Sequence, residues 1–189
     1  EICDSITSSL QKNHNWILIA NLNINSIRNK IEMISDIIEK NIDIMLFSET
    51  KLDESFPSSQ FLIPGFSPPF RVDRSIHGGG LLLYVNSDIP TKLLSCSFCS
   101  NIECLVIEVK LRKKKWLIYG MYNPKKANIA THSSFMRKSI DHYSALYDNI
   151  VVFGDFNSEP HDDPLEEFCN LYGMKNLITE PTCFKSLEN

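Results

Sequence analysis

Four apolar segments of the chain are each followed at once by a polar side chain that can bind a metal ion or a phosphate. The segments are WILIANL (16–22), IDIMLFS (42–48), WLIYGM (116–121) and IVVFG (150–154), and the polar residues after them are Asn23, Glu49, Tyr122 and Asp155, with Asn157 two positions further on. In sheet-based folds, ligands collect where strand ends converge, because a rigid scaffold positions the loops there. We therefore expect these five side chains to meet at one edge of a sheet.

Two carboxylates, two amides and a phenol in one place suit a hard divalent cation. Mg²⁺ takes one or two carboxylates together with waters and substrate phosphate oxygens. Mn²⁺ accepts similar oxygen ligands and is the alternative ion. The amides and the phenol can orient a phosphoryl group or stabilise the charge that develops on it. The pattern therefore predicts a metal-dependent phosphoester site.

Each of these side chains also has an ordinary structural role open to it. Glu49 can be a solvated loop residue or a helix N-cap, and Asn23 can cap the helix that follows it. Asp155 can form an Asx turn, and Tyr122 can be a core ring whose hydroxyl reaches the surface. The phosphoester interpretation is favoured because all the positions share one pattern, and because Gly154 permits a close backbone approach just before Asp155.

The amino-terminal part of the chain predicts a strand, a helix and a second strand. Helical spacing along one face is shown by Ile27, Ile31, Ile34 and Ile38, between the apolar segments 16–22 and 42–47. Asn25 or Ser26 is expected to cap this helix, and Asn41 to end it. A strand, a helix and a strand in about 30 residues fit a right-handed crossover unit.

Strands outnumber helices in the rest of the chain. The spacing predicts strands over 81–86, 91–95, 103–111, 116–121 and 150–153, and helices over 133–147 and 164–172, the second with Pro164 in its first turn. The segment RKKK (112–115) is predicted to be a solvated hairpin turn, with a phosphate-contacting patch as the alternative. These elements indicate an α/β (or α+β) fold with a large sheet component.

Length and composition limit the class of protein. The 189 residues, 43% hydrophobic and 22% charged, are enough for one domain and exclude a disordered or fibrous chain. We expect a polar segment over 1–15 and one domain over 16–189. A net charge of −4 argues against binding nucleic acid by bulk positive charge, but not against a local basic groove. The apolar runs fall far short of the roughly 20 residues of a membrane helix, and 1–15 is too polar for a signal peptide, so we expect no membrane contact.

Six motifs resemble the endonuclease domain of non-LTR (LINE-type) retrotransposons. They are LNINS (22–26), SETKLD (48–53), RVDRSIHGGGLLLYV (71–85), YNP (122–124), GDFNSEP (154–160) and EPTCF (180–184). That domain belongs to the endonuclease/exonuclease/phosphatase superfamily, together with apurinic/apyrimidinic endonucleases and DNase I. The resemblance covers nearly the whole chain from about residue 16. It implies a four-layer α/β/β/α sandwich whose active site lies at one edge, where strand ends meet.

The resemblance also implies a role for each matched residue. Glu49 is the expected Mg²⁺ ligand, and Asn23 beside it holds the metal or the attacking water. Tyr122 is expected to contact the scissile phosphate. Asp155 orients or activates the water, and Asn157 hydrogen-bonds the phosphate.

Two further positions are expected to bind substrate. Arg74 is expected near DNA, and Thr182 matches a position that approaches the substrate backbone. The implied reaction is hydrolysis of a DNA phosphodiester, which leaves a nick whose 3′-hydroxyl primes a reverse transcriptase in the same polyprotein. The expected partners are therefore DNA and that reverse transcriptase domain, and the expected compartment is nuclear or cytoplasmic.

The sequence departs from the family pattern at its carboxyl end. The family continues with a strand bearing an Asp and then with a Ser-Asp-His motif, whose His acts as general base or stabilises the transition state. The chain ends at Asn189, before either feature, and we do not assign the missing role to His161. We therefore expect an incomplete domain that lacks its last strands, with catalysis reduced about 10²–10⁴-fold and with lower stability.

Two alternatives to a DNA endonuclease remain open. One is a phosphatase or phosphodiesterase of the same superfamily that acts on another phosphoester, because motifs such as GDFN are shared across the superfamily. The other is a non-catalytic remnant. The motifs SETKLD and EPTCF and the glycine run 78–80 favour the retrotransposon endonuclease.

Overall fold

Two four-stranded sheets form the centre of the molecule. The computed structural model describes residues 16–39, 42–99, 102–124, 129–159, 163–180 and 182. The first sheet, in the order β1-β2-β4-β3, consists of β1 (Ile19–Asn23), β2 (Ile44–Ser48), β3 (Phe70–Val72) and β4 (Leu81–Val85). The second sheet, in chain order, consists of β5 (Thr91–Cys99), β6 (Ile102–Leu111), β7 (Lys114–Tyr122) and β8 (Asn149–Asp155).

The helices cover the outer faces of the sheets. Among the described residues they are α1 (Ile31–Ile38), α2 (Ile129–Ser144) and α3 (Asp163–Tyr172), and a short 3₁₀ turn occupies Ser58–Phe61. None of these helices is long and apolar enough to cross a membrane.

Three apolar clusters show how the layers stack. In the first, α1 packs on one face of the first sheet; its members include Ile34, Ile38, Phe47 and Tyr84. In the second, the two sheets pack on each other, and Leu46, Leu83, Ile107 and Ile118 are among its residues. In the third, α2 and α3 pack on the second sheet through Met136, Ile140 and Phe168, against residues such as Tyr119. The order of layers is helix, sheet, sheet, helix, which confirms the predicted four-layer sandwich.

The strand pairing brings the carboxyl ends of two parallel pairs together. Strands β1 and β2 run parallel, with Asn23 opposite Ser48. Strands β7 and β8 also run parallel, with Tyr122 opposite Asp155. Side chains of β1 and β8 touch across the gap between the sheets, since the Asn23 amide bonds to Asp155. Both pairs therefore end at the same edge of the sandwich.

The predicted helix cap at Asn25 or Ser26 is wrong. Helix α1 begins at Ile31, its N-cap is Lys30, and no side chain caps it. Asn25 and Ser26 lie in the left-handed region, with φ of 45° and 75°. The N–H of Ser26 donates to the Glu49 carbonyl at 2.8 Å. Residues 24–27 are an irregular loop because their backbone bonds to the turn after β2 instead of extending the helix.

Most of the other elements lie close to their predicted positions, but β3 was not predicted and β5 continues to Cys99, beyond the predicted 91–95. Helix α2 begins at Ile129 and ends at Ser144, a few residues earlier at each end than predicted. Pro164 lies in the first turn of α3, as predicted. The turn between β6 and β7 is formed by Arg112 and Lys113, both with positive φ, and the other two lysines of RKKK begin β7. Asn41, the predicted end of α1, lies outside the described residues.

Candidate active site

The side chains of Asn23, Glu49, Tyr122 and Asp155 form one hydrogen-bonded group at the shared edge of the sheets. The Asn23 Nδ2 donates to Glu49 Oε1 at 3.0 Å and to Asp155 Oδ2 at 2.9 Å. The Tyr122 hydroxyl donates to the same Glu49 Oε1 at 3.0 Å. We call these four residues the carboxylate cluster. The predicted convergence of strand ends is therefore present in the structure.

Glu49 reaches the carboxylate cluster because of an unusual backbone conformation. Its φ of 55° is left-handed, which costs a non-glycine residue about 1–2 kcal/mol. Backbone hydrogen bonds hold this turn from two sides: Ser26 N–H to Glu49 O, Ile27 N–H to Thr50 O, Thr50 N–H to Gly80 O and Lys51 N–H to Gly79 O, at 2.8–3.2 Å. The 24–27 loop and the glycine run thus offset the conformational cost.

Tyr122 is a buried ring with a hydroxyl at the site, so its two proposed roles coexist. The residue is 6% exposed and its ring packs in the core between the sheets. Burial raises the pKa of Tyr122, and the neighbouring Glu49 carboxylate raises it further. The phenol therefore keeps its proton at neutral pH and acts as a hydrogen-bond donor.

The loop after β8 orients Asp155. The N–H of Asn157 donates to Asp155 Oδ1 at 3.2 Å, which is the Asx turn that was the structural alternative for this aspartate. The Asn157 Nδ2 donates to the Asn123 carbonyl at 2.9 Å, so Asn157 ties the loop to the end of β7. Asn157 borders the carboxylate cluster through Asp155, and its predicted contact with phosphate stays a prediction.

Asn23 does not cap a helix. Its Oδ1 accepts the N–H of Asn25 at 3.2 Å, while its Nδ2 lies between the two carboxylates. One amide therefore shapes the 24–27 loop and also satisfies two negatively charged groups that would otherwise repel each other.

The two predicted substrate residues lie outside the carboxylate cluster. The Arg74 guanidinium donates to Glu103 Oε1 at 3.4 Å, and its side chain is 32% exposed. Thr182 is exposed. Within the part of the chain that the structure describes, Thr182 makes no hydrogen bond to the cluster. The substrate roles of both residues stay predictions.

Two residues that lie at the site were not predicted from the sequence. Asn123 is 3% exposed, and its Nδ2 donates to the Phe156 carbonyl at 3.0 Å, which fixes the loop between Asp155 and Asn157. Glu103 is 0% exposed and accepts the Gly80 N–H at 2.7 Å. The sequence could have indicated a buried position for Glu103, because alternate residues of a strand lie on the same face and Glu103 shares its face of β6 with the buried Leu105 and Ile107.

The donor set fits a hard divalent cation that keeps several waters. Glu49 and Asp155 supply carboxylate oxygens, and Asn23 and Asn157 lie beside them. The second oxygen of Glu49, Oε2, accepts no hydrogen bond from the residues that the structure describes, which leaves it available to an ion. Those residues contain no group of three or more His, Cys, Asp or Glu side chains that would enclose a metal. The residues present therefore fit a divalent ion that is held by few side chains and completes its coordination with water.

The comparison with protein families decides where the chain belongs. Residues 20–185 match the Endonuclease/Exonuclease/phosphatase family. The chain belongs to this family. Its members are metal-dependent hydrolases, among them nucleases and phosphatases. No curated protein sequence matches the chain.

Several solved structures share the fold. TDP2 from D. rerio, complexed with a single-stranded DNA product, superposes with a TM-score of 0.57 at 13% identity, over 80% of this chain and 64% of its own. A mannosyl-6-phosphatase from Bacteroides thetaiotaomicron gives 0.63 at 11% identity, over 82% and 71%. An AP endonuclease from Archaeoglobus fulgidus gives 0.53 at 18% identity, over 77% and 59%. At such identities the similarity shows the fold alone, and the chain spans less than two thirds of the TDP2 structure.

The buried Glu103 gives the stability of the protein a specific pH dependence. Burial raises its pKa from 4.5 to about 7, against the opposing effects of the Gly80 N–H and Arg74. The folded protein binds the proton of the Glu103 carboxyl more tightly than the unfolded chain does. The contribution of this proton to the free energy of unfolding is therefore complete below pH 4.5 and is lost as the pH rises through about 7.

We expect Glu103→Gln to remove that part of the pH dependence. Each pH unit between the two pKa values corresponds to about 1.4 kcal/mol. The free energy of unfolding of the variant should therefore rise relative to that of the wild type from pH 4.5 to about 7, and the difference should stay constant at higher pH. Urea unfolding at several pH values measures the difference. Parallel curves for the two proteins across this range would contradict the prediction.

Proposed function

We propose that this chain is a Mg²⁺-dependent endonuclease domain that hydrolyses phosphodiester bonds of DNA, of the kind found in non-LTR retrotransposons. The observation that supports it most is the Asn23 amide held between Glu49 and Asp155, with the Tyr122 hydroxyl on Glu49. This arrangement offers oxygen ligands, a proton acceptor and a neutral donor within a few ångströms. The retrotransposon assignment rests on the sequence motifs.

The residues of the carboxylate cluster have separate tasks in this proposal. Glu49 would hold Mg²⁺, which supplies charge to the phosphate and lowers the pKa of a bound water. Asp155, whose orientation is set by the Asx turn, accepts a proton from the attacking water. The Tyr122 hydroxyl donates its one proton to Glu49 in this structure and would turn it to a phosphate oxygen as negative charge develops there. As the water oxygen bonds to phosphorus, the bond from phosphorus to the 3′-oxygen breaks, and the 3′-oxygen leaves as a hydroxyl with a proton from solvent. Asn23 keeps the two carboxylates in place during the reaction.

Basic side chains near the carboxylate cluster suit a polyanionic substrate. Lys30 Nζ donates to the Ile24 carbonyl at 2.6 Å and to the Asn25 carbonyl at 3.1 Å. Lys51 Nζ donates to Asn25 Oδ1. Both ammonium groups therefore lie at the loop that follows Asn23. There they form a local positive region that can attract phosphates, although the net charge of the whole chain is −4. The partners in this proposal are DNA and a reverse transcriptase domain, in the nucleus or cytoplasm.

Hydrolysis of a smaller phosphoester is the second candidate. It is compatible with the family, which includes phosphatases as well as nucleases. The carboxylate cluster binds a phosphate and a metal and does not itself distinguish DNA from a sugar phosphate. The surrounding loops decide the substrate.

A plasmid-nicking assay tests the proposal. The purified chain, in excess over supercoiled plasmid, is incubated with Mg²⁺, and with EDTA as the control. Neither histidine whose side chain the structure describes, His77 or His142, hydrogen-bonds to the carboxylate cluster, so we expect slow turnover and use long incubations. Nicked circles that require Mg²⁺ support the endonuclease. Release of phosphate from mannose 6-phosphate without any plasmid nicking would contradict it and favour the phosphatase.

A further inference from the structure

Glu103 is a buried carboxylate that the proposed chemistry does not use. It lies near the start of β6, opposite Tyr122 of β7, and is 0% exposed. Its two oxygens have different partners, since Oε2 accepts the Gly80 N–H at 2.7 Å and Oε1 accepts from Arg74 at 3.4 Å. A buried carboxylate is costly to keep, so its presence at this position calls for a physical explanation.

The glycine run 78–80, between β3 and β4, packs closely between Glu103 and the turn that contains Glu49. A Cβ at Gly79 would lie 2.3 Å from Glu103 Oε1, and a Cβ at Gly80 would lie 2.2 Å from Thr50 Oγ1. Both glycines have positive φ, 74° and 95°. The backbone of residues 79–80 therefore contacts Glu103 on one side and Thr50 on the other without intervening space.

The same two glycines hold the turn after β2. The Gly80 carbonyl accepts the Thr50 N–H at 3.2 Å, and the Gly79 carbonyl accepts the Lys51 N–H at 2.9 Å. Glu49, just before these amides, has the left-handed φ of 55° that directs its carboxylate into the carboxylate cluster. A continuous series of contacts therefore joins the Glu103 carboxylate to the backbone of Glu49.

We infer that Glu103 is a positioning residue for Glu49: its carboxylate anchors Gly80, and through the glycine run it holds the 49–51 turn in the conformation that presents the Glu49 side chain. This inference rests on the proposed function only in taking Glu49 as the metal ligand. Arg74 assists by partly neutralising Glu103 from the solvent side. Both the ionised and the protonated carboxyl accept the Gly80 N–H, so the anchor does not depend on one protonation state.

Two measurements test the inference without relying on activity. The hydrogen-exchange rates of the Thr50 and Lys51 amides report how stable their hydrogen bonds to the carbonyls of Gly80 and Gly79 are. The affinity for Mn²⁺, measured without DNA from the electron paramagnetic resonance signal of the free ion, reports whether the Glu49 carboxylate is positioned to bind a metal ion. In Glu103→Ala we expect faster exchange at both amides and an affinity about 10–100-fold lower, the range usual when a group that supports a metal ligand is removed.

A second buried glutamate of β6 provides a matched control. Glu108 is 9% exposed, bonds to the Tyr147 hydroxyl at 2.6 Å and pairs with Lys115 at 3.3 Å, and lies opposite Leu117, away from the site. Glu108→Ala should leave the Thr50 and Lys51 exchange rates and the Mn²⁺ affinity unchanged. Wild-type exchange and affinity in Glu103→Ala, or equal changes in both variants, would overturn the inference.

A milder pair of variants covers the case in which Glu103→Ala does not fold. Glu103→Asp keeps the charge but withdraws the carboxylate by one methylene from Gly80, and we expect a smaller change in the same direction. Glu108→Asp is its control, and no difference between the two overturns the inference.

The outcomes also separate this inference from the proposed function. If the wild type binds Mn²⁺ but nicks no DNA, the endonuclease proposal fails, and the exchange rates and Mn²⁺ affinities of the Glu103 and Glu108 variants still decide the positioning role. If the wild type binds no Mn²⁺, the exchange rates of Thr50 and Lys51 alone decide: faster exchange in the Glu103 variants supports the positioning role, and unchanged exchange overturns it.

Discussion

Glu49→Ala is expected to abolish Mg²⁺-dependent nicking while leaving the protein folded. The Glu49 carboxylate accepts hydrogen bonds from Asn23 and Tyr122 and is the proposed metal ligand. A bound metal stabilises the transition state by several kcal/mol, so we expect a loss of about 10³-fold in the nicking rate. The fraction of supercoiled plasmid remaining with time, at saturating Mg²⁺, measures the effect.

The control for this variant lies five residues further along the same loop. Glu54 is exposed, and its side chain makes no hydrogen bond within the described residues. Glu54→Ala removes the same charge from the same region, so it should nick at the wild-type rate. Thermal unfolding of both variants should resemble that of the wild type. Equal nicking by Glu49→Ala and Glu54→Ala would exclude Glu49 as the metal ligand.

Gly154→Ala is expected to have the largest effect on stability. Gly154 precedes Asp155 in β8 and has a φ of 143°, a conformation that side chains rarely adopt. A Cβ there would lie 1.9 Å from the Met121 carbonyl oxygen, which is backbone of the paired strand β7. Since backbone cannot move aside as a flexible side chain can, β8 would have to separate from β7. We expect a loss of more than about 4 kcal/mol in the free energy of unfolding, measured by urea unfolding.

Gly173→Ala separates the effect of collision from that of backbone conformation. Gly173, after α3, has a φ of 60°, and a Cβ there meets nothing within 4 Å. Alanine at this position should cost only the left-handed strain, about 1–2 kcal/mol. Similar losses of stability in the two variants would exclude the collision with the Met121 carbonyl as the cause of the Gly154→Ala effect.

The same substitution links stability to the site. Gly154 lies opposite Met121, one residue before the pair of Tyr122 and Asp155. Separating the strands at this point would move Asp155 away from the Asn23 amide that bonds to it at 2.9 Å. A glycine was predicted here to permit close approach of the backbone, and the structure shows that the approaching group is the neighbouring strand. The glycine therefore serves sheet pairing, and through it the position of Asp155.

Several features of this protein follow from the sequence alone. The apolar runs that each end in a polar residue were sufficient to predict β1, β2, β7 and β8 and the convergence of Asn23, Glu49, Tyr122 and Asp155, because the carboxyl ends of parallel strands meet at one sheet edge. The buried face of α1 followed from Ile31, Ile34 and Ile38 at helical spacing. Ile27, the fourth residue of the predicted face, lies in the loop before the helix, where its N–H donates to the Thr50 carbonyl. These patterns can be read from the sequence because burial of one face of a strand or helix requires apolar residues at regular spacing within a short segment.

The tertiary structure decided the features that depend on distant backbone. Asn25 and Ser26 have good capping side chains, but the N–H of Ser26 bonds to the Glu49 carbonyl, so the loop is not a helix cap. Asn157 donates its amide to the Asn123 carbonyl, 34 residues away in sequence. Glu103 is anchored to Gly80, 23 residues away. Residue type determines what a polar group can bond to, but only the folded backbone determines which partner lies within reach.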